Sequence, residues 1–192
     1  ELPVYPGFID SHCHFLSLGL SLQKVDLTGT RSFEEVIGRI KDFAKNKKFK
    51  AIVGRGWDQN DWEEKVFPNK STLDELFPDI PVALRRIDGH ALLVNQKALD
   101  LAGIDVETKI NGGIIIKENG KLTGILVDAP MRLISNILPQ PSIIEKIKAL
   151  KDAEKICFEN GLTSVSIAGL NKDDIYLIDS LQKSNELSIR VY

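Results

Sequence analysis

Apolar and polar positions along this chain follow two spacings, and each spacing predicts a different element. Short apolar runs that end in polar loops predict buried strands, at Phe8–Cys13, Ala51–Gly54, Val82–Ile87 and Thr163–Ile167. Apolar residues three and four positions apart predict helices, at Phe15–Gln23 (helix or turn), Phe33 to about Asn46, Gln96–Ala102, Ala129–Leu138, Ser142–Asn160 and Asp173–Lys183. Strands that alternate with helices indicate an α/β fold with parallel βαβ units.

Residues with specific backbone preferences sharpen these predictions. Ser32, with Glu35 three residues later, is typical of a helix start, and Gly103 is typical of a helix end. The segment Ile114–Leu126 predicts a β-hairpin, because Asn119-Gly120 at its centre supplies the residue types of a type I′ turn.

Composition excludes several classes of protein. Of 192 residues, 43% are hydrophobic and 27% charged, and the formal net charge of −2 favours neither nucleic acid nor an anionic membrane as a partner. No apolar run approaches the roughly 18 residues of a membrane span. Two cysteines are too few for a disulfide framework. We therefore expect one soluble domain in a reducing compartment, the cytoplasm.

The first predicted strand ends in two histidines separated by one residue. Because side chains alternate along a strand, His12 and His14 are expected to point to the same side, with Cys13 opposite as a packing residue. Imidazole is a common ligand of zinc and similar metals. The spacing predicts half of a divalent-metal site, with zinc as the expected ion.

Several segments together resemble one enzyme family. Residues 6–14 (PGFIDSHCH) resemble the first-strand signature of the amidohydrolase superfamily. Residues 54–58 (GRGWD) with Asp61-Trp62, 86–90 (RIDGH) with Val94-Asn95, 123–128 (TGILVD) and 161–165 (GLTSV) resemble its amidohydrolase-3 or YtcJ-like branch, in the same order. The resemblance implies metal-dependent hydrolases built on a (β/α)8 barrel.

Such a barrel typically needs about 250 residues, so this chain is expected to hold only part of one. We expect residues 1–192 to form the N-terminal half of the barrel, with about four parallel strands, an inserted β-hairpin and a long insertion around residues 57–130. A flanking β-subdomain and the C-terminal half would lie outside the chain. Uncovered strand edges would then favour self-association.

The resemblance also suggests residues that act on a substrate. His90 is the candidate catalytic residue, through a hydrogen bond to the substrate carbonyl; the alternative is a loop histidine bonded to backbone. Asp88 is a candidate substrate-binding residue, and it would orient His90 or cap a helix. Trp57, Asp58 and Trp62 would bind substrate, or the tryptophans would pack and steady a long loop.

Asp128 has two interpretations as well. In the resembling family an acidic residue commonly stands here, which would make Asp128 a metal ligand; otherwise it caps the helix expected from Ala129. Ile167 departs from the family pattern, which commonly has a polar residue at that point.

The resulting hypothesis is hydrolysis of a carbon–nitrogen bond other than a peptide bond, in an N-acyl amine, a formamide or a cyclic amide. A divalent metal would lower the pKa of a bound water and supply a hydroxide nucleophile. The chain by itself is expected to be inactive, because the further ligands and the proton-shuttling aspartate of the family have no counterpart in it. One alternative is a phosphoesterase of a related barrel, but we find no basic cluster placed to hold a phosphate, and the Trp57–Trp62 loop suits an apolar acyl group better. The other is a non-catalytic module that binds a small molecule.

Overall fold

The computed structural model describes residues 3–45 and 49–192, which form two units. The first unit comprises Glu1–Gln23 and Pro141–Tyr192, and the second comprises Lys24–Gln140. In chain order the elements are β1 (Phe8–Cys13), α1 (Phe15–Ser21), β2 (Val25–Asp26), α2 (Phe33–Ala44), β3 (Ile52–Trp57), a short 3-10 helix (Gln59–Asp61), α3 (Ser71–Leu76), β4 (Val82–Arg86), β5 (Ala91–Val94), α4 (Gln96–Leu101), β6 (Gly113–Glu118), β7 (Lys121–Asp128), α5 (Met131–Ile137), α6 (Ile143–Glu159), β8 (Leu162–Ile167), α7 (Lys172–Lys183) and β9 (Arg190–Val191).

The first unit is built on a parallel sheet with the strand order β1-β8-β9. Apolar residues of α1, α6 and α7 pack with β8 to form its core. Gly19 permits the close approach of α1 to α6, because a Cβ atom at this position would lie 1.9 Å from the carbonyl oxygen of Ala149. Helix α7 connects β8 to β9, whereas α1, the second unit and α6 lie between β1 and β8 along the chain.

The second unit contains a six-stranded mixed sheet with the order β2-β3-β4-β5-β7-β6. Strands β2, β3 and β4 are parallel, and the remaining pairs are antiparallel. Alternate residues of each strand face different cores. Leu84 and Leu93 pack in the core that includes α2, whereas Ala83 and Leu92 pack in the core that includes α4 and α5.

Most of the local predictions are confirmed. Helix α2 begins after Ser32, whose hydroxyl accepts the Glu35 N–H, although it ends at Ala44; the predicted end near Asn46 lies outside the described residues. The hairpin β6–β7 turns at Asn119 and Gly120, which both have positive φ (49° and 73°), as a type I′ turn requires.

The predicted mixed α/β architecture with parallel strands is confirmed, but the strands have partners that the sequence analysis does not predict. We expected the strands near residues 52 and 82 to follow β1 in one parallel sheet, with Thr163–Ile167 as the fourth strand. Instead β3 and β4 belong to the second unit, and β8 pairs directly with β1. Apolar runs predict that a strand is buried, but they carry no information on which strand lies beside it.

The long insertion predicted around residues 57–130 lies within the second unit, whose bounds are wider. No helix in the described part of the chain is long and apolar enough to cross a membrane.

Candidate functional site

In the first unit, the edge of the sheet where β1 ends presents the two histidines. The rings of His12 and His14 lie with their centroids 5.6 Å apart and their planes at 83°, and both side chains are exposed. Cys13, between them, is half-buried and packs against the core. The two imidazoles are therefore neighbours, as the sequence predicts, although His14 lies just past the end of β1, at the N-cap of α1.

A backbone carbonyl fixes the orientation of one imidazole. Nδ1 of His14 lies 3.1 Å from the carbonyl oxygen of Ala168, which follows β8. Because a carbonyl oxygen can only accept, Nδ1 must be the protonated nitrogen, and Nε2 of the neutral ring then keeps its lone pair. The parallel pairing of β1 with β8 makes this contact, since both strands end at the same edge of the sheet.

The thiol beside these histidines is not activated. Burial raises the pKa of Cys13, and the negative charge of Asp10 raises it further. Cys13 and Cys157 both line a largely apolar cavity of about 380 Å³ in the first unit. Burial also raises the pKa of Cys157. A protonated thiol is a poor nucleophile and a poor metal ligand, which supports the interpretation of Cys13 as a packing residue.

The second unit contains a separate polar pair. Nδ1 of His90 lies 2.8 Å from a carboxylate oxygen of Asp128, and the backbone N–H of Asp128 donates to the carbonyl of His90. Asp128 has a left-handed backbone (φ 57°), which is unusual for a residue with a side chain. It does not cap α5, which begins at Met131 with Pro130 in the cap position. The structure therefore excludes one of the two interpretations of Asp128, that it caps the helix.

Asp88 holds the turn that carries His90. Its carboxylate accepts two hydrogen bonds from the Arg86 guanidinium, at 3.0 and 2.5 Å, and one from the backbone N–H of His90 at 3.0 Å. The bonds from Arg86 lower the pKa of Asp88 from 3.8 to about 2. Of the two predicted roles, orienting His90 is therefore the one that the contacts support, through its backbone.

The tryptophans of the second unit are core residues. Trp57 and Trp62 are 1% and 6% exposed. Their indole N–H groups donate to the carbonyls of Leu84 and Thr30, at 2.8 and 3.1 Å. Asp58 accepts the N–H of Asn60 and so caps the short 3-10 helix. These contacts match the packing alternative, and substrate binding by these three residues stays a prediction.

A comparison with known proteins decides the family. The family model described as "Amidohydrolase family" matches residues 2–192, nearly the whole chain. The chain belongs to the amidohydrolase family. This confirms the resemblance to the amidohydrolase-3 or YtcJ-like branch.

Three named proteins are similar in sequence to this chain. The chain is 38% identical over 165 residues to the protein LONG AFTER FAR-RED 3 of Arabidopsis thaliana, and this alignment covers 84% of this chain and 28% of that protein. It is 38% identical over 163 residues to the putative amidohydrolase YtcJ of Bacillus subtilis, in an alignment that covers 83% of this chain and 31% of YtcJ. It is 32% identical over 136 residues to the N-substituted formamide deformylase of Arthrobacter pascens (68% and 25%).

Two solved structures share the fold. Both are described as uncharacterized metal-dependent hydrolases, from Pyrococcus horikoshii OT3 (TM-score 0.73, 29% identity) and Pyrococcus furiosus (TM-score 0.71, 27% identity). Each alignment covers 97% of this chain and 36% or 37% of the other chain. The amidohydrolase chain described here thus spans between about a quarter and a little over a third of the proteins that it matches.

The family implies a divalent metal, and the histidine pair fits one. Two imidazoles on one tetrahedral zinc have ring centres roughly 5 Å apart, given Zn–N distances of about 2.0 Å. The observed separation is 5.6 Å. The N–H bond from the non-ligating nitrogen of His14 to a carbonyl is the usual support of a metal-bound histidine.

The pair does not complete a site. Among residues 3–45 and 49–192, no group of three His, Cys, Asp or Glu side chains is arranged to hold a metal ion. A catalytic zinc takes three protein ligands and a water. His12 and His14 lie in the first unit and Asp128 in the second, and metal binding by Asp128 stays a prediction.

Sequence reasoning missed two features. The first is the contact between His14 and the Ala168 carbonyl, which is a backbone group and therefore has no residue type that would predict it. The second is a group of cations, Lys24, Arg55 and Arg85, whose charges act on one another in the second unit. The sequence analysis, which finds no basic cluster placed to hold a phosphate, does not identify this group. Lys24 and Arg55 are 31 positions apart in the sequence and Arg55 and Arg85 are 30 apart, and only strand pairing brings them together.

Proposed function

We propose that this chain is part of a metal-dependent hydrolase that cleaves carbon–nitrogen bonds other than peptide bonds, in N-acyl amines, formamides or cyclic amides. The observation that carries the proposal is the His12–His14 pair, with His14 held by the Ala168 carbonyl so that Nε2 is free. The name of the A. pascens relative, a formamide deformylase, supports the bond type.

The proposal includes the barrel. Strands β1, β8 and β9 are parallel, adjacent in sheet order and separated by helices, as successive strands of a (β/α)8 barrel are. We place the second unit as an insertion after the first barrel strand.

Each candidate residue has a distinct role in this scheme. Nε2 of His14 and a ring nitrogen of His12 would hold a divalent ion, with zinc as the expected one. The bound metal would supply Lewis-acid activation of water and of the substrate carbonyl. His90 is the candidate that bonds the substrate carbonyl, with Asp128 on its Nδ1 and Asp88 on its backbone N–H.

The Asp128 contact constrains how His90 would work. A carboxylate on Nδ1 keeps a proton on that nitrogen, so only Nε2 can face a substrate, and Nε2 can donate to a substrate carbonyl only when the ring carries a proton on both nitrogens, as an imidazolium. The exposed position of both side chains, 71% and 50%, leaves that nitrogen accessible. Asp128 is thus better placed to orient His90 than to bind a metal.

The chain of 192 residues is proposed to be inactive alone. Two histidines give at most half of a tetrahedral zinc site, and loss of a ligand costs more than the roughly 10–100-fold typical of a supporting residue. A small-molecule substrate is the proposed partner, and a cytoplasmic location and self-association stay predictions.

A chimera tests the function. Residues of this chain would replace the matching segment of the A. pascens formamide deformylase, and hydrolysis of an N-substituted formamide would be measured together with bound metal. We expect turnover and metal content to be retained, and both to fall in His12→Ala and His14→Ala. Lys41→Gln, a substitution of an exposed residue in α2, is the control. A folded chimera with full turnover in both histidine variants would refute the proposal.

A further inference from the structure

The parallel part of the second unit's sheet carries a row of charged side chains on one face. Asp26, Arg55 and Arg85 occupy paired positions on β2, β3 and β4, so their side chains project from the same face. Lys24 directly precedes β2, and the charges of Arg85 and Arg55 act on it, which places it near them. Arg55 is exposed and Arg85 is half-buried.

Carboxylates do not neutralise these cations. No ion pair within 4.0 Å joins Lys24, Arg55 or Arg85 to a carboxylate in the part of the chain that the structure describes. Asp26 is beside Arg55, but its carboxylate accepts the backbone N–H of Thr28 at 2.9 Å. Arg86, which follows Arg85 directly, does form an ion pair with a carboxylate, that of Asp88. Arg85 differs from its neighbour in this respect.

The two guanidinium groups converge on one turn. Arg55 donates to the carbonyl of Ile87 and Arg85 to the carbonyl of Gly89, each at 3.1 Å. These bonds each use one terminal N–H, and a guanidinium has five. Each arginine therefore keeps donors for a further partner, in the fork geometry that matches an oxyanion.

Burial and neighbouring cations lower the pKa of Arg85 and of Lys24. Burial and the charge of Arg55 lower the pKa of Arg85. Burial, followed by the charges of Arg85 and Arg55, lowers the pKa of Lys24. An anion between these groups would replace repulsion with attraction.

We propose that Lys24, Arg55 and Arg85 form a binding site for a doubly charged oxyanion, either a phosphate group or a dicarboxylate. Three cations with Asp26 beside them leave a net charge of about +2, which such an anion matches. The site lies wholly in the second unit and does not depend on the metal or on the proposed hydrolysis.

The test is calorimetric titration of the chain with inorganic phosphate and, separately, with malonate. We expect saturable binding of one or both at low salt, weakened as ionic strength rises to about 0.15 M. Binding of phosphate alone identifies a phosphate site, and binding of malonate alone identifies a dicarboxylate site. No saturation by either anion up to about 10 mM, ten times a millimolar Kd, would overturn the proposal.

Variants locate the binding. Arg55→Gln and Lys24→Gln should each weaken it about 10-fold or more, the effect of losing a charge-assisted hydrogen bond. Arg132→Gln, at an exposed position of α5, removes the same charge from the same unit and should leave the affinity unchanged. Equal affinity in all three variants would place the anion elsewhere and contradict the assignment.

The lysine variant keeps the test decisive if an arginine variant unfolds. Arg55→Gln and Arg85→Gln both remove a bond to the turn at residues 87–89. Lys24 forms no hydrogen bond or ion pair among the contacts that the structure describes, so its substitution removes the charge without breaking a bond to that turn. Unchanged circular dichroism with weakened binding in Lys24→Gln would support the site; unchanged binding would contradict the part assigned to Lys24.

Discussion

Nδ1 of His14 lies 3.1 Å from the carbonyl oxygen of Ala168, a residue 154 positions later in the chain. The contact depends on the parallel pairing of β1 and β8, which ends both strands at one edge. It assigns the proton to Nδ1 and leaves Nε2 for a ligand. The candidate metal site is thus oriented by the fold as well as by the His-x-His spacing.

Metal binding by the isolated chain should be weak. With only His12 and His14 in place, we expect zinc affinity weaker than about 1 μM, and a further loss of about 10-fold or more in His12→Ala. Calorimetric titration with zinc measures both values. Cys13→Ser is a suitable control, because the Cys13 thiol packs against the core and should not contribute. Submicromolar binding that disappears in His12→Ala would mean that the site has more ligands than we describe.

The Arg86–Asp88 pair should make the second unit's stability depend on pH in the acid range. The pKa of Asp88 is lowered from 3.8 to about 2, so its contribution is complete above about pH 4 and is lost as pH falls toward 2. Because the Asp88 side chain is 40% exposed, solvent screening limits the contribution to about 1 kcal/mol or less.

Asp88→Asn measures this contribution. Unfolding followed by tryptophan fluorescence reports on the second unit, since Trp57 and Trp62, the chain's two tryptophans, both lie there. The wild-type chain should be more stable than Asp88→Asn near pH 6, and the two should converge by about pH 2. A stability difference that stays constant or grows on acidification would contradict the assignment.

The tryptophans should matter for stability more than for ligand binding. Trp57→Phe removes buried volume and the bond to the Leu84 carbonyl, and we expect a loss of about 2 kcal/mol in the free energy of unfolding. Chemical denaturation followed by circular dichroism provides the measurement. Tyr176→Phe, at an exposed site, should change stability little. A stable Trp57→Phe chain with impaired substrate binding would instead favour the pocket role.

Local structure was predictable because local residues determine it. Asn119-Gly120 adopts the two positive φ values that its residue types favour, and Ser142 with Glu145 forms a capping box at the start of α6. Sheet partners were not predictable in the same way. β1 pairs with β8 across some 150 residues, and an apolar run looks the same in either sheet.

The candidate site residues likewise include some that local spacing predicts and some that depend on sheet pairing. His12 and His14 follow from spacing alone, since i and i+2 share a side of a strand. The His90–Asp128 contact and the Arg55–Arg85 neighbours depend on strand register, which one-residue shifts would invert. Predicting them requires the pairing of β3 with β4 and of β5 with β7, and these pairings are properties of the folded sheet.

Two helical glycines offer a matched test of how the first unit packs. A Cβ atom on Gly19 in α1 would lie 1.9 Å from the Ala149 carbonyl oxygen of α6, whereas a Cβ atom on Gly38 in α2 would meet nothing within 4 Å. Gly19→Ala should therefore force the helices apart and lower the free energy of unfolding by about 1–3 kcal/mol. Gly38→Ala, at an exposed helical position, should raise it by about 0.5–1 kcal/mol.

Thermal unfolding by circular dichroism, with tryptophan fluorescence for the second unit, separates the effects of the two substitutions. Because Gly19 and the tryptophans lie in different units, the fluorescence transition of Gly19→Ala should move less than its helical signal if the units unfold independently. Gly19→Ala as stable as the wild-type chain would show that α1 and α6 are farther apart than the structure places them.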